Sequence, residues 1–233
     1  MSGILYGVGV GPGEPELITL KAVRVIEQAD IIVAPHPGDT ESLAYSIALK
    51  AVPSMVNKPV LMVDMPMTRD EKTLDKNHDD IAMQILAHIK AGKAVVFLTL
   101  GDPSLYSTYI YIQKKVLGLG GKTQMIPGVP SFCAVAAALN VGLVEGKQML
   151  HVIPASYEGT DCGLDLPGVK VLMKTGKAFP KVKRELAGRG QLKTACMVQK
   201  CGMQDQKIYK DLSIVGEDVG YFSIILVKDG ADD

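Results

Sequence analysis

Three short runs combine glycine, proline and small polar residues at the ends of apolar stretches: Gly9-Val10-Gly11-Pro12-Gly13, Gly101-Asp102-Pro103-Ser104 and Pro127-Gly128-Val129-Pro130-Ser131. Residues of these types do little acid–base chemistry. What they offer is main chain, because missing Cβ atoms permit positive φ and let a flat ligand lie against the backbone. Pro12 stiffens the first of these turns. That turn fails two nucleotide motifs: a dinucleotide fingerprint needs a third glycine at Pro12 or Glu14, and no Lys-Ser/Thr pair follows as a phosphate loop requires. The pattern favours a cofactor without a pyrophosphate. Asp102, standing before a proline in a tight turn, reads as an acceptor of backbone N–H bonds rather than as a catalytic base.

Other chemistry finds little support. His36, His78, His88 and His151 have no ligand spacing with one another or with the cysteines, so no protein-bound metal is expected. No Gly-x-Ser-x-Gly elbow is present, which removes the usual covalent hydrolase arrangement. Cys133, Cys162, Cys196 and Cys201 form no Cys-x-x-Cys pair and sit among apolar neighbours, consistent with a reduced intracellular chain. The eleven methionines read as core filler.

The turns need strands and helices to position them. Leu17, Leu20, Val23 and Ile26 have helical spacing after the first turn, with Thr19 as a cap. Ile31–Ala34 is a compact apolar run stopped by Pro35, as in a strand buried on both faces of a parallel sheet. A helix over 41–50 and a strand over 60–63 follow. The polar loop 65–70 and a charged segment to Asp80 are expected to be mobile and solvated. Helical period returns with Ile81, Ile85, Leu86 and Ile89 and stops near Gly92. A buried strand over 94–98 leads into the second turn, at the carboxyl end of a strand, where open α/β sheets bind ligands. A helix over 107–117, a strand over 122–126 and the third turn come next, then a helix over 132–139.

Beyond this point apolar segments at 150–153, 169–173, 195–198 and 221–227 alternate less regularly with helices, which predicts a mixed sheet. Residues 155–167 read as a loop, and Gly230 to Asp233 as a frayed end. The predicted organisation is α/β, with a mainly parallel N-terminal domain over 1–125 and a mixed C-terminal domain over 126–233. Three turns at strand ends of one sheet converge on one edge and describe a pocket.

Composition narrows the partners. At 233 residues and 47% hydrophobic the chain has ample core. Lys+Arg and Asp+Glu both number 25, so no global basic field exists to hold nucleic acid or an anionic membrane. No secretory signal and no run of roughly 20 apolar residues is found, which makes cytoplasmic localisation the expectation.

Taken together in order, 9–22, 101–108 and 127–131 resemble the tetrapyrrole methylase family, a likeness that spans nearly the whole chain. Met65-Pro66-Met67-Thr68-Arg69-Asp70 and the Leu105-Tyr106-Ser107-Thr108 ending are similar to members that methylate carbon 20 of precorrin-2 or cobalt-factor II in cobalamin synthesis. The resemblance implies a class III methyltransferase fold of two α/β domains with S-adenosylmethionine in the cleft between them, and a homodimer acting on a small-molecule tetrapyrrole. It implies cofactor contacts at Pro12, Gly101, Asp102, Tyr106, Ser107 and Thr108, and further ones at Ser131, Met173, Ala195 and Ser223. Lys174 stands where many relatives have glycine. Lys21, Arg24, Arg69 and Lys174 are candidates for the substrate's carboxylates. A different tetrapyrrole acceptor such as uroporphyrinogen III or another corrin carbon, or a nicotinamide-dependent oxidoreductase, are the alternatives.

Overall fold

A computed structural model describes residues 3–38, 40–157 and 159–228. The chain divides into two compact units, Met1–Pro130 and Ser131–Asp233.

In the first unit β1 (Ile4–Gly9), β2 (Ile31–His36), β3 (Val60–Asp64), β4 (Ala94–Thr99) and β5 (Thr123–Ile126) form a sheet in the order β3-β2-β4-β1-β5. All its pairings are parallel. The connections carry α1 (Leu20–Gln28), α2 (Leu43–Ala51), α3 (Glu71–Lys90) and α4 (Tyr109–Gly118). Each face of the sheet has its own core. Val96 and Leu98 of β4 pack with Ala22, Ile26 and Ile47, whereas Val95 and Phe97 pack with Ile81, Ile85, Tyr109 and Ile112. Alternate residues of one strand therefore enter opposite cores, which is why the strands read as continuous apolar runs rather than as alternating ones.

Several expectations change. Leu20 is 81% exposed. Thr19 caps the helix as expected, its hydroxyl accepting from Ala22 N at 3.2 Å, but the buried residues of α1 are Ala22 and Ile26. Pro35 does not stop its strand, because β2 pairs with β4 only as far as Val33 and continues against β3 to His36. Ile32 donates to Pro59 on the β3 side. Pro35, three residues on, faces the other side, where its missing N–H breaks no ladder. The charged segment before Asp80 is not a mobile loop but the first half of α3. His78 is buried and stacks on Tyr111 of α4 with ring centroids 5.3 Å apart. Lys115 of α4 meets Asp75 at 2.7 Å and Asp79 at 2.6 Å. Packing against α4 supplies the order that helical propensity alone would not.

The second unit contains α5 (Ser131–Leu139), β6 (Leu150–Pro154), α6 (Thr160–Leu164), β7 (Val169–Met173), α7 (Phe179–Gly188), β8 (Ala195–Gln199), β9 (Lys207–Tyr209) and β10 (Ser223–Val227). Its sheet has the order β6-β7-β10-β8-β9. Only β6 and β7 are parallel, so the sheet is mixed as predicted. The expected loop at 155–167 contains the short helix α6. Arg189 beyond α7 anchors this segment by bonding the carboxylate of Asp165 at 2.9 Å, the carbonyl of Asp161 at 3.2 Å and Glu185 at 2.7 Å. Residues Gly230, Ala231, Asp232 and Asp233 lie outside the described residues.

Candidate functional site

Because every strand of the first sheet runs the same way, the turns after β1, β4 and β5 share its carboxyl edge. Gly11 and Gly101 form a two-bond bridge: Gly101 N donates to the Gly11 carbonyl at 2.8 Å and Gly11 N to the Gly101 carbonyl at 3.3 Å. Both glycines have positive φ, +78° and +69°, a region that an L side chain enters at a cost. The third turn closes on the same point. A Cβ on Gly9 would stand 2.5 Å from Gly101 O and 2.7 Å from Gly128 N, and one on Gly128 would stand 2.1 Å from Gly101 O. The three turns thus form one cluster of bare backbone, with Pro12 buried beside it.

Asp102 locks the cluster. One carboxylate oxygen accepts from Ser104 N at 2.8 Å and from the Ser104 hydroxyl, and the other accepts from Gly128 N at 3.0 Å. This is the structural role expected of an Asp before Pro. Thr19, the cap of α1, donates its hydroxyl to the Pro127 carbonyl at 3.4 Å, which brings the head of the first helix to the third turn.

Ser107 belongs to the interior. Its hydroxyl is 2.7 Å from that of Thr99 and accepts from Tyr109 N at 3.1 Å, and the residue is 8% exposed. Tyr106, by contrast, is 44% exposed and takes φ +50°. Thr108 stands partly buried at the head of α4, and its side chain makes no capping bond. Pro12, Gly101, Asp102, Tyr106, Ser107 and Thr108 are therefore gathered at one edge, some by main chain and some by side chain. Lys21 and Arg24 are exposed on α1, and Arg69 is exposed in the loop leaving β3.

In the second unit Ser131 opens α5. Met173 and Ser223 share an end of the mixed sheet, since Ile225 pairs with Leu172 and the two strands run antiparallel. The Thr175 hydroxyl donates to the Ser223 carbonyl at 3.1 Å. Ala195 is not with them. It pairs with Val227 at the far end of β8 and is fully buried. The residue of β8 beside Ser223 is Gln199, followed by Lys200, whose N–H donates to the Phe222 carbonyl at 2.7 Å. Lys174 and Lys200 both hold positive φ there, +57° and +48°.

Burial raises the Cys196 and Cys201 thiols above their ordinary range, the opposite of what an activated thiolate nucleophile needs.

The model of the Tetrapyrrole (Corrin/Porphyrin) Methylases matches residues 4–213. The chain is 34% identical to the cobalt-precorrin-2 C(20)-methyltransferase of Salmonella typhimurium over 98% of its own length and 97% of that protein's. It is 30% identical to the precorrin-2 C(20)-methyltransferase of a Sinorhizobium species, covering 100% of this chain and 99% of the other. The fold matches that of uroporphyrin-III C-methyltransferase from Thermus thermophilus, a structure complexed with S-adenyl homocysteine, with a TM-score of 0.71, 20% identity and coverage of 97% and 92%. The family model and both curated relatives match nearly the full chain, and the protein is accordingly a methyltransferase of the tetrapyrrole (corrin/porphyrin) methylase family.

Proposed function

We propose that this enzyme transfers a methyl group from S-adenosylmethionine to carbon 20 of precorrin-2 or of its cobalt-containing counterpart in cobalamin biosynthesis. The observation that carries this reading is the convergence of Gly9, Gly101 and Gly128 on one point of the parallel sheet's edge, together with full-length similarity to two relatives named for that reaction. Main chain without Cβ atoms suits a donor that must be approached closely, and the missing third glycine disfavours a nicotinamide dinucleotide.

S-adenosylmethionine supplies an electrophilic methyl on a sulfonium. The chain's own contribution is position. A meso carbon of a reduced tetrapyrrole is electron-rich, so fixing two large ligands in line contributes up to roughly 7–11 kcal/mol in well-oriented cases. Asp102, committed to the backbone of Ser104 and Gly128, rigidifies the cradle and is not needed as a base. Lys21 and Arg69, exposed at the same edge, suit the substrate's carboxylates.

Incubation with labelled S-adenosylmethionine and, in parallel, precorrin-2, cobalt-factor II and uroporphyrinogen III tests the assignment. Label at carbon 20 of either of the first two is expected, and label only on uroporphyrinogen III would reject it. The same reading carries a cytoplasmic homodimer, to be tested by light scattering and cell fractionation.

A further inference from the structure

The carboxyl edge of the first sheet continues past the glycine cluster to the ends of β2 and β3, and these carry His36 and Asp64 as direct register partners. β2 lies next to β4, with Val33 opposite Phe97. His36 ends β2 three residues beyond that last pair, at the carboxyl edge where the neighbouring strand β4 leads into the Gly101 turn.

Local bonds prepare the imidazole. Its Nδ1 lies 2.6 Å from the Gly38 carbonyl oxygen. A carbonyl only accepts, so Nδ1 carries the proton and Nε2 of the neutral ring keeps its lone pair. No described residue bonds Nε2. The loop that supplies this carbonyl is itself held, because Gly38 N donates to Asp64 Oδ1 at 2.8 Å. Met65 N donates to the His36 carbonyl at 2.7 Å and Asn77 Nδ2 to the Asp64 carbonyl at 3.1 Å. The ring is partly exposed. An imidazole oriented through Nδ1, with Nε2 left to face a ligand-binding edge, has the form of a general base.

We propose that His36 is the base that removes the proton from carbon 20 after methyl transfer, an inference that rests on the methyltransferase reading above. The step balances. The bond from carbon 20 to methyl forms as the carbon–sulfur bond breaks and sulfur keeps the pair. The C20–H bond then breaks, its electrons return to the macrocycle's conjugation, and the proton passes to Nε2 and on to solvent. Asp64 is a positioning residue that acts through Gly38.

The test compares wild type, His36→Ala and His36→Gln, the last able to donate to the Gly38 carbonyl still. Acceptor deuterated at carbon 20 is used, and S-adenosylhomocysteine affinity is measured by calorimetry. Both variants are expected to lose on the order of 10²-fold in kcat, with that affinity unchanged. A primary deuterium effect on kcat should appear, and added imidazole should partly restore His36→Ala. Turnover of either variant within threefold of wild type overturns the proposal, as does a loss with neither isotope effect nor imidazole rescue. Wild type that methylates carbon 20 while the variants fail these criteria rejects His36 alone, whereas wild type that leaves carbon 20 unmethylated rejects both readings.

Discussion

Gly128 lies so close under Gly101 that a methyl group built on it would stand 2.1 Å from the Gly101 carbonyl oxygen and 2.9 Å from the Cα of Gly9. Three turns spread between residues 9 and 131 of the chain are thereby packed backbone to backbone. Asp102 spans the second and third with its carboxylate, and the Gly11–Gly101 bridge joins the first and second.

Gly128→Ala has nowhere to place its Cβ, since the obstructing atoms are main chain and cannot rotate away. Overpacking of this kind costs about 1–3 kcal/mol or more. The variant is expected to unfold at lower urea concentration and to lose S-adenosylhomocysteine binding by calorimetry, even under conditions where it remains folded. Unchanged affinity would detach the ligand from the glycine cluster.

Ser107→Ala separates burial from binding. The change leaves the Thr99 hydroxyl and Tyr109 N without their partner inside the first unit, a loss worth about 1–3 kcal/mol. Urea unfolding should report that loss. Because the hydroxyl is spent internally, ligand affinity of the folded variant should change far less than in Gly128→Ala.

Lys174→Gly should stabilise the second unit. A lysine at φ +57° occupies a region costing roughly 1–2 kcal/mol for an L residue, partly offset by glycine's greater unfolded-state entropy. A net gain of about 0.5–1 kcal/mol in chemical denaturation is expected. Lys200→Gly relieves a similar φ but gives up the ion pair with Asp205, a contact worth about 0–1 kcal/mol at the surface, so its net gain should be small.

Tyr109 supplies a pH dependence. Burial, the dominant cause, pushes its hydroxyl up to about 12 from an ordinary 10.0, and the side chain is fully buried against Phe97. Below pH 10 both folded and unfolded forms are neutral and the stabilisation is intact. Between pH 10 and 12 only the unfolded chain ionises, so stability falls by roughly 1.4 kcal/mol per pH unit from this group. The difference between wild type and Tyr109→Phe should narrow across that window in denaturant titrations, and a constant difference would reject the assignment.

Much of this was legible in residue order. Strand, glycine turn and helix followed from Gly9 to Ile26, and the second and third turns were visible as Gly-Asp-Pro-Ser and Pro-Gly-Val-Pro. Asp102's structural role was legible too, because Asp before Pro has few other bonds within reach. Leu20 misled because, first after the cap, it lies off the face that Ala22 and Ile26 bury. Pro35 misled because a proline ends a strand only if its N–H side is paired. Residues 71–80 form the solvated face their charge suggests, but charge alone did not reveal the helix, which Lys115, forty residues further on, ties down through Asp75 and Asp79. Strand β9, three residues long, is held by its pairing with β8 and carries too short a pattern to read. Ala195 lies in the expected strand at the end away from Ser223, a placement set by strand direction in the mixed sheet, which spacing does not reveal.

By itself, then, the order of residues determined the alternation of elements, the absence of side chains at three bends and the family pattern those bends compose, because φ preference and hydrophobic period are local properties. Tertiary structure decided which bends touch, which hydroxyls are consumed inside, and that His36 and Asp64 stand level at the edge the glycines occupy. Those relations arise from strand order and register, and the contacts that set them lie between residues tens of positions apart.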